Sequence, residues 1–137
     1  MSFGNSAWQP WILDEDKSLE ILKAAWDRGI NTIDTANAYS NGESERILAK
    51  FIEKYNIPRN QIIILTKCYF LVGNEPSFLA FDISEHTKER QYVNQGGLSR
   101  AAILNQVEDS LYDVSIRHTS TFSKSTDLTQ RHPLKKP

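Results

Sequence analysis

Apolar positions recur at three- and four-residue spacing in three stretches of the chain, and two short stretches rich in β-branched residues separate them. Over residues 14–28, Leu19, Leu22, Ala25 and Trp26 share one face, while Glu15, Asp16, Lys17, Glu20, Lys23 and Asp27 are polar. That spacing predicts an amphipathic helix, and Gly29 supplies the left-handed residue that often ends one. Residues 30–36, Ile-Asn-Thr-Ile-Asp-Thr-Ala, read as a strand. Helical spacing resumes over 43–55 through Ile47, Leu48, Phe51 and Ile52, closed by Asn56 and Pro58. Gln61 to Leu65 is a continuous apolar run, as expected of a strand covered on both faces. Strand, helix and strand in this order form a β-α-β unit with parallel strands, so the fold class is α/β.

Beyond Phe70 the pattern lapses. Residues 72–98 contain Gly73, Pro76, Gly96 and Gly97 and keep no period, which predicts a long loop. Regularity returns at Ser99, a plausible N-cap, followed by Ile103, Leu104, Val107 and Leu111 on one helical face. From Tyr112 the character changes again. Residues 115–137 hold eight Ser/Thr and five Lys/Arg, with Ile116, Phe122, Leu128 and Leu134 six residues apart. Six fits neither helix nor strand, and the tail is expected to be unstructured.

Composition narrows the function classes. The chain has 137 residues, with 16 basic against 17 acidic side chains, so no basic field favours nucleic acid or an anionic membrane. The single cysteine, Cys68, excludes an internal disulfide and suits a reducing compartment. No apolar run approaches the ~20 residues that span a bilayer, and residues 1–4 lack the features of a signal peptide. The expectation is a soluble, cytoplasmic chain.

Asp34, Tyr39 and Lys67 form the most suggestive trio. Asp34 stands near the end of the first predicted strand, Lys67 just past the end of the second, and Tyr39 begins the loop between. In parallel α/β folds the C-terminal strand ends converge on the active site. An aspartate and a lysine there hold each other charged, and a lysine near a phenol favours the phenol's ionised form. The bland alternative is an ordinary ion pair beside a loop tyrosine. His86, His118 and His132 lack metal-ligand spacing and read as solvated surface, so no metal site is expected. Cys68 reads as a half-buried structural thiol, and Gly96-Gly97 as a turn before a helix. Glu43 and Glu45 read as favourable charges at a helix N-terminus. Trp8 and Trp11, flanking Pro10, either wall a pocket or cover a rim.

These residues carry a family resemblance. N-T-I-D-T-A-N-A-Y-S-N-G-E-S-E, Asn31 to Glu45, resembles the aldo-keto reductase signature around its catalytic aspartate and tyrosine. I-I-I-L-T-K-C-Y-F, Ile62 to Phe70, is similar to the strand that ends in the catalytic lysine. The opening M-S-F-G-N-S-A-W-Q-P-W is similar to the end of the first barrel strand and its loop, particularly in fungal members. The resemblance covers about residues 1–111 and implies a partial (β/α)8 TIM barrel, about its first three βα units. It further implies NADPH-dependent reduction of a small aldehyde or ketone to an alcohol. Tyr39 would donate the proton, Lys67 tune it and Asp34 orient Lys67, with Asp34 also contacting NADP(H). The family's fourth catalytic residue, a histidine on the next strand, has no counterpart here.

Two segments are expected to be missing. A complete barrel takes about 250 residues, and Met1 is expected to fall within the first strand. The tail offers a reason for the second gap. Codons chosen for residues 116–137, read one base earlier behind a guanine, spell D-T-S-Y-I-D-L-L-Q-I-H-R-F-D-P-T-T-P-V-E-E-T. That string is similar to the family's next strand, and its histidine codon overlaps those of Ser125 and Thr126. The expectation is a frame slip near Leu111–Tyr112, from a mutation, a mis-spliced transcript or a wrong gene model. It divides the chain into a partial reductase barrel, 1–111, and a divergent tail, 112–137. Three functional readings follow: a reductase by descent, a catalytically dead remnant acting, if at all, by association with another protein, and an independent binding module, which has little support. This chain alone is expected to be inactive. Substrate identity and oligomeric state are not legible.

Overall fold

The computed structural model describes residues 1–79, 86 and 89–114. Helix α1, Glu15–Trp26, opens with Glu15 and Asp16, whose charges oppose the positive end of its dipole. Gly29, at φ 87°, turns the chain out of it. Strand β1, Thr32–Asp34, leads into α2, Glu43–Lys54, through Ser40, Asn41 and Gly42, all left-handed. A 3-10 turn at Arg59–Gln61 precedes β2, Ile63–Leu65. A second 3-10 turn, Arg90–Tyr92, precedes α3, Arg100–Asp113. The strands pair in parallel, Thr32 with Ile63, Ile33 with Ile64 and Asp34 with Leu65. The result is an α/β unit with a small parallel sheet, as the periodicity predicts.

The core lies between the sheet and the first two helices. Leu19 and Leu22 of α1 meet Ile47, Leu48 and Phe51 of α2, with Ile57 and Ile62 below and Ile33 and Ile64 packed against them. Burying a side chain of this size stabilises by about 1.5–3 kcal/mol. A second, smaller cluster joins Leu71, Tyr92 and Phe78.

Three expectations are corrected. The second strand is covered on one face, not two: Ile63 and Leu65 are 53% and 51% exposed. Strand residues alternate between faces, and the helices lie over only the face that carries Ile33 and Ile64. The first βα unit contributes its helix without a sheet strand. Phe3 instead bridges to Leu13, where Gly4 N donates to Leu13 O and Leu13 N to Ser2 O, closing a local loop. The apolar face of α3 is also not its packed face. Leu104 and Val107 are 55% and 43% exposed, and the helix instead buries Ala102, Gln106 and Ser110.

Tyr112 and Asp113, expected to open the unstructured tail, continue α3; residues 115–137, their alternative reading frame, His118 and His132 lie outside the described residues. Among the described residues no helix is long and apolar enough to cross a membrane, and no group of acidic, histidine or cysteine side chains could hold a metal ion.

Candidate active site

Parallel pairing continues past the strands. Thr35 N donates to Leu65 O at 2.8 Å and Asn37 N to Lys67 O at 3.2 Å. This zips the two chain exits together and sets Asp34 and Lys67 side by side on the uncovered face. Lys67 Nζ donates to Asp34 Oδ1 at 2.5 Å and to Thr35 O at 2.7 Å. The same ammonium lies 5.1 Å from the centroid of the Tyr39 ring. All three residues singled out in the sequence therefore meet at one place.

Both members of the ion pair are open to solvent, with about half or more of each side chain exposed. The hydrogen bond to Asp34 is the largest influence raising the Lys67 pKa above the ordinary lysine value; desolvation opposes it, and the Tyr39 hydroxyl adds to it. Lys67 is thus a standing cation at neutral pH, unsuited to give up its own proton. Its chemical value is electrostatic: it can stabilise negative charge developing on a neighbouring oxygen.

The other candidates separate. Glu43 pairs with Arg46 at 2.8 Å, and Arg46 reaches on to Asp113 of α3 at 3.1 Å. Glu45 is not the exposed dipole partner its position suggests. It is fully buried, accepts from Thr66 Oγ1 at 2.5 Å, and its pKa is raised, first by burial, with the Thr66 and Ser110 hydroxyls pulling the other way. The helical period of α2 puts it on the buried side with Leu48, three residues on. Trp8 is buried and its indole donates to Phe78 O at 3.0 Å, whereas Trp11 is exposed. Asn41 pins the 73–78 loop, donating to Glu75 O and Phe78 O while accepting from Gly73 N. His86 is not free surface: it sits beside Phe78 and Tyr92 and contacts Glu89 at 2.7 Å. Cys68 is half-buried, as expected. Gly97, at φ 79°, makes the bend before α3, and its N–H donates to Tyr69 O.

Fold and cluster together define an α/β protein with a carboxylate, an ammonium and a phenol gathered at the ends of adjacent parallel strands. The sequence profile of the aldo/keto reductase family matches residues 1–120, and the chain belongs to that family. It is 50% identical over 127 residues to an aldo-keto reductase of Fusarium vanettenii, an alignment covering 89% of this chain and 34% of that protein. An aldo-keto reductase of Metarhizium robertsii is 49% identical over 118 residues, 81% of this chain and 31% of that protein. The versiconal hemiacetal acetate reductase of Aspergillus parasiticus is 41% identical over 134 residues, 98% and 37% respectively. The chain spans about a third of the length of these curated relatives.

Proposed function

We propose that this chain carries the proton-donating corner of a (β/α)8 carbonyl reductase that converts an aldehyde or ketone to an alcohol at the expense of NADPH. Tyr39 gives its hydroxyl proton to the carbonyl oxygen, and Lys67 stabilises the phenolate left behind. Asp34 holds Lys67 in place. The observation that carries this reading is the Lys67 ammonium held between the Asp34 carboxylate, at 2.5 Å, and the Tyr39 ring, at 5.1 Å.

The residues present do not fit the whole cofactor. The first turns of α1 and α2 carry Glu15, Asp16 and Glu43, which disfavour phosphate there. The N-terminus of α3 is already capped, Ser99 Oγ accepting from Ala102 N at 3.1 Å. Asp34 is the one cofactor contact in this reading, as the family resemblance implies. In this reading the chain by itself neither holds NADPH nor turns over, because proximity and orientation supply much of the catalysis. The exposed Ile63 and Leu65 on the open sheet face support the companion reading, a remnant that acts through association with another protein. We also propose that the reading frame slips near Leu111–Tyr112, dividing the chain into 1–111 and 112–137; sequencing genomic DNA and transcript tests it, and no family-like reading in the other frame would end it.

The function is tested by replacing the aligned segment of the Fusarium vanettenii relative with residues 1–114. The chimera is expected to oxidise NADPH with an aromatic aldehyde, and Tyr39→Phe within it to lose about 10²–10⁴-fold in kcat. A Tyr39→Phe chimera as fast as its parent would remove Tyr39 from the chemistry. NADPH turnover by the unmodified 137-residue chain would overturn its inactivity.

A further inference from the structure

Each charged residue of the ion pair has a threonine as chain neighbour, Thr35 after Asp34 and Thr66 before Lys67. Neighbouring residues leave a strand on opposite faces, so both hydroxyls can turn from the open face toward α2. Thr35 Oγ1 donates to Ser44 Oγ at 3.2 Å, and Thr66 Oγ1 donates to Glu45 Oε1 at 2.5 Å. Ser44 and Glu45 are consecutive in the first turn of α2. A single helical turn therefore grips the chain beside Asp34 with one residue and beside Lys67 with the next.

Packing does not explain the choice of glutamate. The Glu45 side chain is fully enclosed, and its Oε2 has no hydrogen-bond partner among the described residues. The Arg46 guanidinium, which acts on Glu45 through its charge, is bonded to Glu43, Asp113 and Asn41 O instead. Burying a carboxyl under these conditions costs stability, and an apolar side chain would fill the space without that cost. What glutamate adds is a strong acceptor at the point where the second strand runs out. Beyond Leu65 the chain has no sheet neighbour on its far side among the described residues; the Asn37–Lys67 backbone bond at 3.2 Å and the bonds of the Lys67 ammonium hold one side of the exit, and the Thr66 contact ties it to α2.

We propose that Glu45 is a positioning residue for Lys67: through Thr66 it fixes the chain exit from which the lysine reaches Asp34, as Ser44 does for Asp34 through Thr35. The inference rests on the reading of Asp34, Tyr39 and Lys67 given above. It predicts that slackening the Thr66 contact loosens the ion pair while leaving the core intact.

The test is the acetylation rate of Lys67 on the whole chain at fixed alkaline pH, read by mass spectrometry against exposed Lys17. Only the free amine reacts, so a looser ion pair labels faster. Thr66→Val and Glu45→Leu are expected to label about threefold faster than wild type. Thr66→Ser and Glu45→Gln, which keep donor and acceptor, are expected to match wild type; Thr66→Val, which keeps the shape and loses the donor, would match it too if the role were merely space-filling. If Glu45→Leu loses its helical circular dichroism, Thr66→Val carries the test, being isosteric and at an exposed position. Wild-type labelling in Thr66→Val overturns the proposal. Asp34→Asn separates the two levels. Where it speeds labelling and Thr66→Val does not, only the Glu45 role falls; where it leaves labelling unchanged, the ion pair falls and the proposed function with it.

Discussion

Helices α2 and α3 flank the same strand ends and attach by opposite means. α2 buries Ile47, Leu48 and Phe51 in the main core. α3 buries Ala102, Gln106 and Ser110, and leaves Leu104 and Val107 in solvent. Hydrophobic burial is strong but non-directional, so α2 can supply stability and says little about where a single side chain sits. Hydrogen bonds are weaker and directional. Asn37 Nδ2 donates to Gln106 Oε1 at 2.8 Å, and Gln106 in turn reaches Ala102 O at 3.3 Å. Asn37 lies two residues before Tyr39, so α3 holds the loop that carries the phenol. One helix keeps the unit folded, and the other keeps its site in register.

The sharpest way to break this contrast is at Phe51. Phe51→Ala is expected to cost about 3–5 kcal/mol, read as the urea midpoint by circular dichroism; a small change would mean that α2 is not the main anchor. Gln106→Ala leaves Asn37 unpaired and is expected to cost about 1–3 kcal/mol. Hydrogen exchange should then speed across α3 and the 36–41 loop, with α2 still protected. Uniform acceleration would show that the two helices unfold as one.

Glu45 ranks next and links the two. Its folded pKa is raised above the ordinary value of 4.5. Between those two values the folded state holds the proton more tightly than the unfolded chain, so stability falls as pH rises through the window. Asp113, which is also raised, acts in the same direction. Glu45→Gln removes the Glu45 share, so the variant should gain on wild type as pH rises from 4 toward neutrality. A pH-independent difference in urea midpoints would show that burial does not perturb this carboxyl. Ser99→Ala should cost about 1 kcal/mol by uncapping α3. Smallest of all, Leu104→Ser should stay within about 0.5 kcal/mol in the thermal melt; a loss as large as that at Gln106 would place Leu104 in a buried contact.

Much of this unit was legible from residue order. The three helices, both strands, the turn at Gly29 and the cap at Ser99 arise from interactions within a few residues, which periodicity and propensity report directly. Asp34 and Lys67 were legible as a pair because parallel strands of one unit end on the same side. Tyr39 was legible because its loop starts there. Glu45, Thr66 and Gln106 were misread or passed over. Glu45 looked like a helix-dipole charge, and Thr66 and Gln106 drew no reading of their own. The available signal was weak: a threonine beside each member of the charged pair, and a serine and glutamate together in the following helical turn.

The sequence by itself determined which segments are helix or strand, the parallel order, and that Asp34, Tyr39 and Lys67 gather where the strands end. Only the tertiary structure decided that β2 is covered on one face, that α3 docks by its polar side, and that Glu45 is buried. The physical reason is range. Local conformation is set by neighbours within about four residues, whereas burial is set by whichever distant elements happen to lie over a face.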